Sequence, residues 1–322
     1  VITGDSQQRT TLTSFRFIGA FTGGSLVAYF TPELVSFFGG DNEVKGWQMT
    51  MALYGGIAAI LFVISFLSTK ERLAPPKNQQ TPVKQDLKDL TQNKPWIVLF
   101  VLALIIMMTI TLRGSSGTFY FKYYVERSDL IGSFSMAYML SLALGAALTP
   151  LLTKYIDKRQ LLIVLMIIVS ILSLAFYFVP KENITAMYCL QIAIGLALGP
   201  KSPLVYSMYA DTVDYSLWKT GRRATAMIFS AAAFAQKLGG ALAGAMMGWV
   251  LASLGYVANQ VQNGASEHGI VLLMTLIPAI FAFISVGVIF LYPLTDKKLK
   301  AIQHSLNNSS SSDKNYLEKQ NA

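Results

Sequence analysis

Eight apolar runs, each long enough to cross a hydrocarbon layer of ~30 Å as a helix, succeed one another along this chain: residues 15–38, 47–68, 96–116, 131–153, 161–179, 184–209, 224–254 and 270–292. Inside a bilayer the backbone can satisfy its N–H and C=O groups only as a helix or a closed barrel, and runs of this length read as helices. Composition agrees: 53% of residues are hydrophobic and only 13% charged, against roughly 25% charged in soluble domains. The sequence predicts an all-α integral membrane protein with about eight transmembrane helices.

The formal net charge of +9 is spread along the chain in a pattern. One set of connections holds Arg9; Lys70, Arg72, Lys77, Lys84, Lys88 and Lys94; Lys154, Lys158 and Arg159; Lys219, Arg222 and Arg223; and Lys297, Lys298 and Lys300. The alternate connections offer Lys45, Lys122, Arg127 and Lys181. By the positive-inside rule the first set, and with it the C-terminus, is cytoplasmic. The basic balance is thus a topology signal, and no nucleic-acid partner follows from it. The single cysteine, Cys189, lies inside an apolar run, so no disulfide framework exists.

The longest connection, residues 69–94, is rich in Pro and Gln from Pro75 to Pro82, and then places Val83, Leu87 and Leu90 at helical spacing among charges. It reads as a linker that ends in a short interfacial helix. Two runs precede it and six follow. Transporters built as two six-helix halves joined by a long cytoplasmic loop would have four further spans ahead of Val1, and the polar opening residues carry no signal-peptide pattern. The expected organisation is therefore 1–72 as the last two helices of an N-terminal half and 73–94 as the linker. Residues 95–293 follow as a six-helix C-terminal half, and the polar tail 294–322 as a disordered cytoplasmic segment.

The densest polar stretch joins two of the runs. Asp211, Asp214, Lys219, Arg222 and Arg223 crowd thirteen residues, after which Ala224 to Leu254 contains one ionisable group, Lys237. In a helix opening at Ala224, Lys237 lies on the order of 20 Å along the axis, near the middle of the hydrocarbon layer. An ammonium at that depth needs a partner or water: it pairs with a carboxylate on another helix and couples ion binding to helix movement, or it snorkels to an interface, which its depth opposes. Asp211, Asp214, Arg222 and Arg223, with Asp157, Lys158 and Arg159 one loop earlier, form either a solvated charge run or a set of ion pairs that breaks when the cytoplasmic side opens. Arg16, just inside the first run, is either an anchor at the cytoplasmic end or a sugar or carboxylate ligand offering five donors in a fixed fork. Arg113 and the following Tyr120, Tyr123 and Tyr124 read as an outer interfacial belt in preference to a ligand platform.

An enzymatic reading also exists. Asp211-x-x-Asp214 at a cytoplasmic helix end has the chemistry to hold Mg²⁺ against a diphosphate, as an intramembrane transferase would. Only one such motif occurs, and Lys219, Arg222 and Arg223 are the more natural partners of its carboxylates. His268 and His304 fall in an outer loop and in the tail, so neither a metal site nor a cofactor is expected.

Several motifs, in order, resemble one family. ADTVDYSLWKTGRRA followed by FAQKLGG, STKER at Ser68 to Arg72, LRGSSGTFYFKYY, and DSQQRTTLTSFR at Asp5 to Arg16 are similar to segments of the glycoside-pentoside-hexuronide:cation symporters, of the major facilitator type. The resemblance covers nearly the whole chain except the tail and makes the eight runs the equivalents of helices five to twelve of twelve. It implies a multi-pass, monomeric protein of the bacterial inner membrane, surrounded by lipid. The implied activity is symport of a glycoside, oligosaccharide or sugar acid with Na⁺ or H⁺ by alternating access. It further implies that Lys237 lies near the cation site, that Arg16 and Ser202 are at the sugar site, and that Asp211, Asp214, Arg223 and Arg159 belong to a cytoplasmic gate. The coupling carboxylates of the family lie on helices that would precede Val1, so this chain alone is not expected to transport. Where a melibiose-transporting member has a tryptophan on its tenth helix, this chain has Ser202, within GPKSP, and Ala232 and Ala233 replace polar side chains one turn before the lysine. Lys201 either attracts an anionic sugar or anchors a helix. Distant relatives of the family move lysolipids, which is the second reading of the cargo.

Overall fold

The structure, a computed structural model, describes residues 6–68, 83–222 and 225–306; the Pro- and Gln-rich part of the linker and the tail beyond residue 306 lie outside them. Its regular elements are helices: α1 (Ser6–Gly39), α2 (Glu43–Ser68), α3 (Val83–Gln92), α4 (Lys94–Phe119), α5 (Ile131–Tyr155), α6 (Lys158–Tyr177), α7 (Ile184–Leu198), α8 (Lys201–Thr220), α9 (Thr225–Ser253), α10 (Gly264–Met274), α11 (Leu276–Phe290) and α12 (296–306). Seven helical runs among the described residues are long and apolar enough to cross a membrane. The run predicted at 15–38 folds within α1, whose 34 residues are long enough, but Thr22, Ser25, Thr31, Pro32 and Glu33 lie inside the run, so it falls short of the other seven in apolarity.

Two of the predicted spans are interrupted, and proline explains both. Residues Ile184–Thr220 form one run that breaks at Gly199 and Pro200 into α7 and α8. Residues Gly264–Phe290 form another, broken at Thr275, whose φ of −122° and ψ of −75° leave the helical region. Proline has no N–H, so the carbonyl four residues earlier loses its helical donor. For Pro200 that carbonyl is Leu196 O, and it lies against Gly145 of α5; a Cβ on Gly145 would collide with it. A Cβ on Gly199 would likewise meet Leu142 O, and one on Gly195 would meet Ser141. Three glycines therefore let α5 and the broken α7–α8 run approach backbone to backbone, the means by which membrane helices gain contact without a hydrophobic drive.

For Pro278 the orphaned carbonyl is Met274 O, and Arg113 of α4 supplies the missing donor. Its Nη1 donates to Met274 O at 3.2 Å and to Ser173 Oγ at 3.4 Å, while Nε and Nη2 both donate to Gln191 Oε1 at 3.1 and 2.5 Å. The guanidinium carbon stands 5.2 Å from the centroid of the Phe176 ring. One side chain thus links α4, α6, α7 and α10. This corrects the reading of Arg113 as part of an interfacial belt: Arg113 and Tyr120 are each 1% exposed, because the tyrosines follow α4 into a π-helical turn at Tyr120–Tyr124 that points Tyr120 inward against Phe176. Removing the guanidinium by Arg113→Met should leave Gln191 and Met274 O without their donor and cost about 3 kcal/mol at roughly 1–3 kcal/mol per unsatisfied buried group. Arg113→Lys should recover only part of that, since a single ammonium lacks the planar fork. Loss of monodisperse protein on heating in detergent measures both.

Candidate functional site

Helices α1, α4, α5, α8 and α9 surround a cavity of about 440 Å³, within the range usual for small-molecule sites. Most of its wall is apolar, from residues such as Phe21, Ile106, Leu142 and Val205; its polar side chains are Tyr138, Lys201, Ser202, Tyr206 and Gln236. Proline places three of these five. Because α8 begins anew at Lys201 after Pro200, Lys201, Ser202 and Tyr206 occupy its first two turns and face the space between α5 and α9.

Two of these groups are buried without a protein partner. Lys201 is 5% exposed, and it forms no hydrogen bond or ion pair among the described residues. The Tyr138 hydroxyl is buried and unpartnered as well. Burying an ammonium without a counter-ion is unfavourable by several kcal/mol, and an unsatisfied hydroxyl by roughly 1–3 kcal/mol. Buried donors left open on a cavity wall are what a ligand's acceptors would satisfy. Tyr206, by contrast, accepts from the Gln236 amide at 3.3 Å, and its ring packs edge-on against Phe17 at 5.3 Å.

The predicted site residues fall in different places. Ser202 lines the cavity. Arg16 is exposed and not on the wall, but its guanidinium lies 5.5 Å from the Tyr206 ring centroid and 6.0 Å from that of Phe17, which both line the cavity. Lys237 is exposed on α9 and enters no ion pair among the described residues; its neighbour Gln236 is the one that reaches the cavity. Arg223 lies outside the described residues.

Below the cavity along α8 stands a cluster of charges. Lys158, at the start of α6, places Nζ 2.6 Å from Asp211 Oδ2, with both side chains buried, and donates to Ser207 Oγ at 3.0 Å. Ser207 in turn shares a 2.8 Å hydrogen bond with Thr10 of α1, so α1, α6 and α8 meet at this point. Among the described residues Lys158 makes the ion pair to Asp211; the adjacent Arg159 donates from Nη2 to Phe290 O at 2.7 Å, where it faces the negative end of α11. Asp214 accepts from Gln303 of α12 at 3.1 Å. Asp157 caps α6 by accepting from its Arg159 N–H at 2.9 Å and also accepts from Asp296 N at 2.7 Å, tying α6 to α12. On the other side, Arg222 grips Asp89 of α3 through two donors, Nε to Oδ2 at 2.9 Å and Nη2 to Oδ1 at 2.7 Å, and Asn93 donates to Thr212 O at 3.1 Å. Burial first, and next the Asp157 carboxylate, pushes the Asp296 carboxyl above its usual range.

Sequence reasoning did not single out Tyr138 or Asp89. Neither carries a local signal: Tyr138 is one aromatic in an apolar helix, and the partner of Asp89 is 133 residues away in the chain. A bundle of membrane-spanning helices around a donor-lined cavity has the form of a transport protein. A family model described as "MFS/sugar transport protein" matches residues 1–296, and the chain belongs to that family. It is 33% identical to the inner membrane symporter YicJ of Escherichia coli (strain K12) over 95% of this chain and 67% of that protein. It is 29% identical to the isoprimeverose transporter of Lactiplantibacillus pentosus over 90% of this chain and 61% of that one. A glucuronide carrier protein homolog of Escherichia coli (strain K12) is 28% identical over 81% of this chain and 57% of its own length. The chain thus spans about two thirds or less of the length of these relatives. They are transporters, and the transferase reading of Asp211 and Asp214 has no support among them.

Removing one partner of the buried pair should be costly and removing both should not. Lys158→Met is expected to destabilise the protein by about 3 kcal/mol or more, and the double variant Lys158→Met/Asp211→Asn to recover most of that loss in the same thermal assay. For Asp296 the sign is opposite to that of a salt-bridged carboxylate. Its raised folded-state value means the folded protein keeps a proton that the unfolded chain has released, so its contribution to stability is present at acid pH and is lost as pH rises through the raised value. Asp296→Asn should therefore raise the melting temperature at pH 7.5, with the difference shrinking towards pH 4.

Proposed function

We propose that the full-length protein is a cation-coupled symporter that carries a glycoside, oligosaccharide or sugar acid across the bacterial inner membrane by alternating access. The observation that carries this reading is the cavity between α1 and the helices after the linker, whose wall presents open donors in an otherwise apolar surface. The relatives, a symporter, an isoprimeverose transporter and a glucuronide carrier homolog, support the class of cargo and the coupling. The coupling ion is Na⁺ or H⁺.

In this reading the sugar lies against Tyr206 and Phe17, with Arg16 closing over the Tyr206 ring and Ser202 and Gln236 offering hydrogen bonds. Lys237, one residue beyond Gln236, faces away from the cavity, where it responds to the charge of the ion site. The Lys158–Asp211 pair, Asp214, Arg159 and the Arg222–Asp89 grip form the cytoplasmic gate. Opening separates α1 from α6 and α8 at the Thr10–Ser207 contact, and re-forming the pair closes that side again. No observation favours a lysolipid cargo.

Uptake of a labelled glycoside panel by cells expressing the full-length gene tests this, with and without a Na⁺ gradient and with a pH gradient alone. Gradient-driven accumulation of at least one sugar is expected, with Arg16→Ala and Tyr206→Ala each lowering it tenfold or more at unchanged protein levels. A protein that reaches the membrane and moves no sugar under either gradient would contradict the reading.

A further inference from the structure

Lys201 is the one charged side chain on the cavity wall among the described residues. Lys201 is buried as a residue, and it forms no ion pair among the described residues. The carboxylates of its own helix, Asp211 and Asp214, begin about 15 Å further along at 1.5 Å per residue, and both are engaged elsewhere. Lys201 also opens α8, with no side-chain cap, so the positive end of the helix dipole adds to its field. Across the wall, the Tyr138 hydroxyl is a second buried donor without an acceptor. Ala103, Ile106, Leu142 and Leu198 fill the space around them, and in such surroundings a charge interaction is screened far less than in water.

We propose that Lys201 is the specificity-determining residue of the cavity: it is the counter-ion for an anionic substituent on the transported sugar, a carboxylate or a sulfonate, with the Tyr138 hydroxyl donating to the same group. This rests on the transport reading above and narrows its substrate class from glycosides in general to sugar acids. A neutral sugar would satisfy the donors but leave the ammonium uncompensated, whereas an anion does both. The selection is assigned to Lys201 and not to Arg16, because Lys201 is buried on the cavity wall whereas Arg16 is exposed and off it.

The test is uptake by cells expressing the full-length protein, with methyl glucosides and methyl galactosides that differ only in a C6 carboxylate, a C6 sulfonate or a C6 hydroxyl. The wild type should prefer a carboxylated or sulfonated member at least tenfold in KM, and the two arms show which anion it takes. Lys201→Met should reduce that preference tenfold or more, equivalent to about 1.4 kcal/mol, while uptake of the neutral member persists; Lys201→Arg should keep it. If Lys201→Met does not reach the membrane, Tyr138→Phe replaces it, with a threefold or greater loss of preference expected. A wild type that favours the neutral sugar, or variants with an unchanged ratio, would overturn the proposal and leave the transport reading intact. If no sugar of either kind enters, both fall together.

Discussion

The architecture hangs on one backbone contact, that between α5 and the proline-broken run of α7 and α8. Gly145, Gly195 and Gly199 remove the side chains that would hold these helices apart, and the carbonyls of Leu142 and Leu196 fill the space. In lipid, where apolar side chains gain little by leaving the solvent, such close packing is what joins helices. The break at Pro200 then sets the rotation of α8. Its first two turns carry Lys201, Ser202 and Tyr206 to the cavity, and Ser207, next in sequence, with Asp211 about one turn further on, meets Lys158. Cavity and charge cluster are thus adjacent stretches of one helix, and a shift of α8 moves both.

Three basic side chains are buried among the described residues, Arg113, Lys158 and Lys201, and their surroundings differ in kind. Arg113 meets neutral acceptors and an aromatic face, and its role follows from the carbonyl that Pro278 leaves open. Lys158 meets a carboxylate and two hydroxyl-bearing helices, an arrangement that is stable when whole and strongly unfavourable when halved, which suits a contact that is either made or broken. Lys201 meets nothing charged. The same physical cost, taking a cation out of water, is offset by structure in the first case and by an ion pair in the second. In the third the protein leaves it open towards a cavity.

Much of this was legible in the sequence, and the limits have physical causes. Apolar length and the alternation of lysine and arginine report on partition between lipid and water, which is a property of segments, so membrane spans could be read directly. The helical spacing of Val83, Leu87 and Leu90 likewise foretold α3, although Leu90 is buried and Leu87 exposed. Pairwise contacts are not properties of segments. Among the described residues Asp211 pairs with Lys158, 53 residues away, and Arg222 grips Asp89 of α3, 133 residues away. Arg113 looked like an interface anchor because distance along a helix measures depth, not which face is inward. Depth alone likewise places Lys237 at mid-membrane without saying which face it is on, and the described helices leave it exposed. Resemblance points to Ser202 and leaves Lys201 open between an anionic sugar and a helix anchor; the structure puts both on the cavity wall, with Lys201 its one charge among the described residues.

The central claim is that the cavity beside α8 is where the sugar binds. A cysteine at Ser202, in a full-length protein whose Cys189 and any other cysteines are replaced, reports on it directly through its rate of alkylation by a small maleimide in membranes. The account predicts that a transported sugar slows labelling several-fold in proportion to its occupancy, while a sugar that is not transported has no effect. Equal rates with and without a sugar that the same protein demonstrably transports would place the binding site elsewhere.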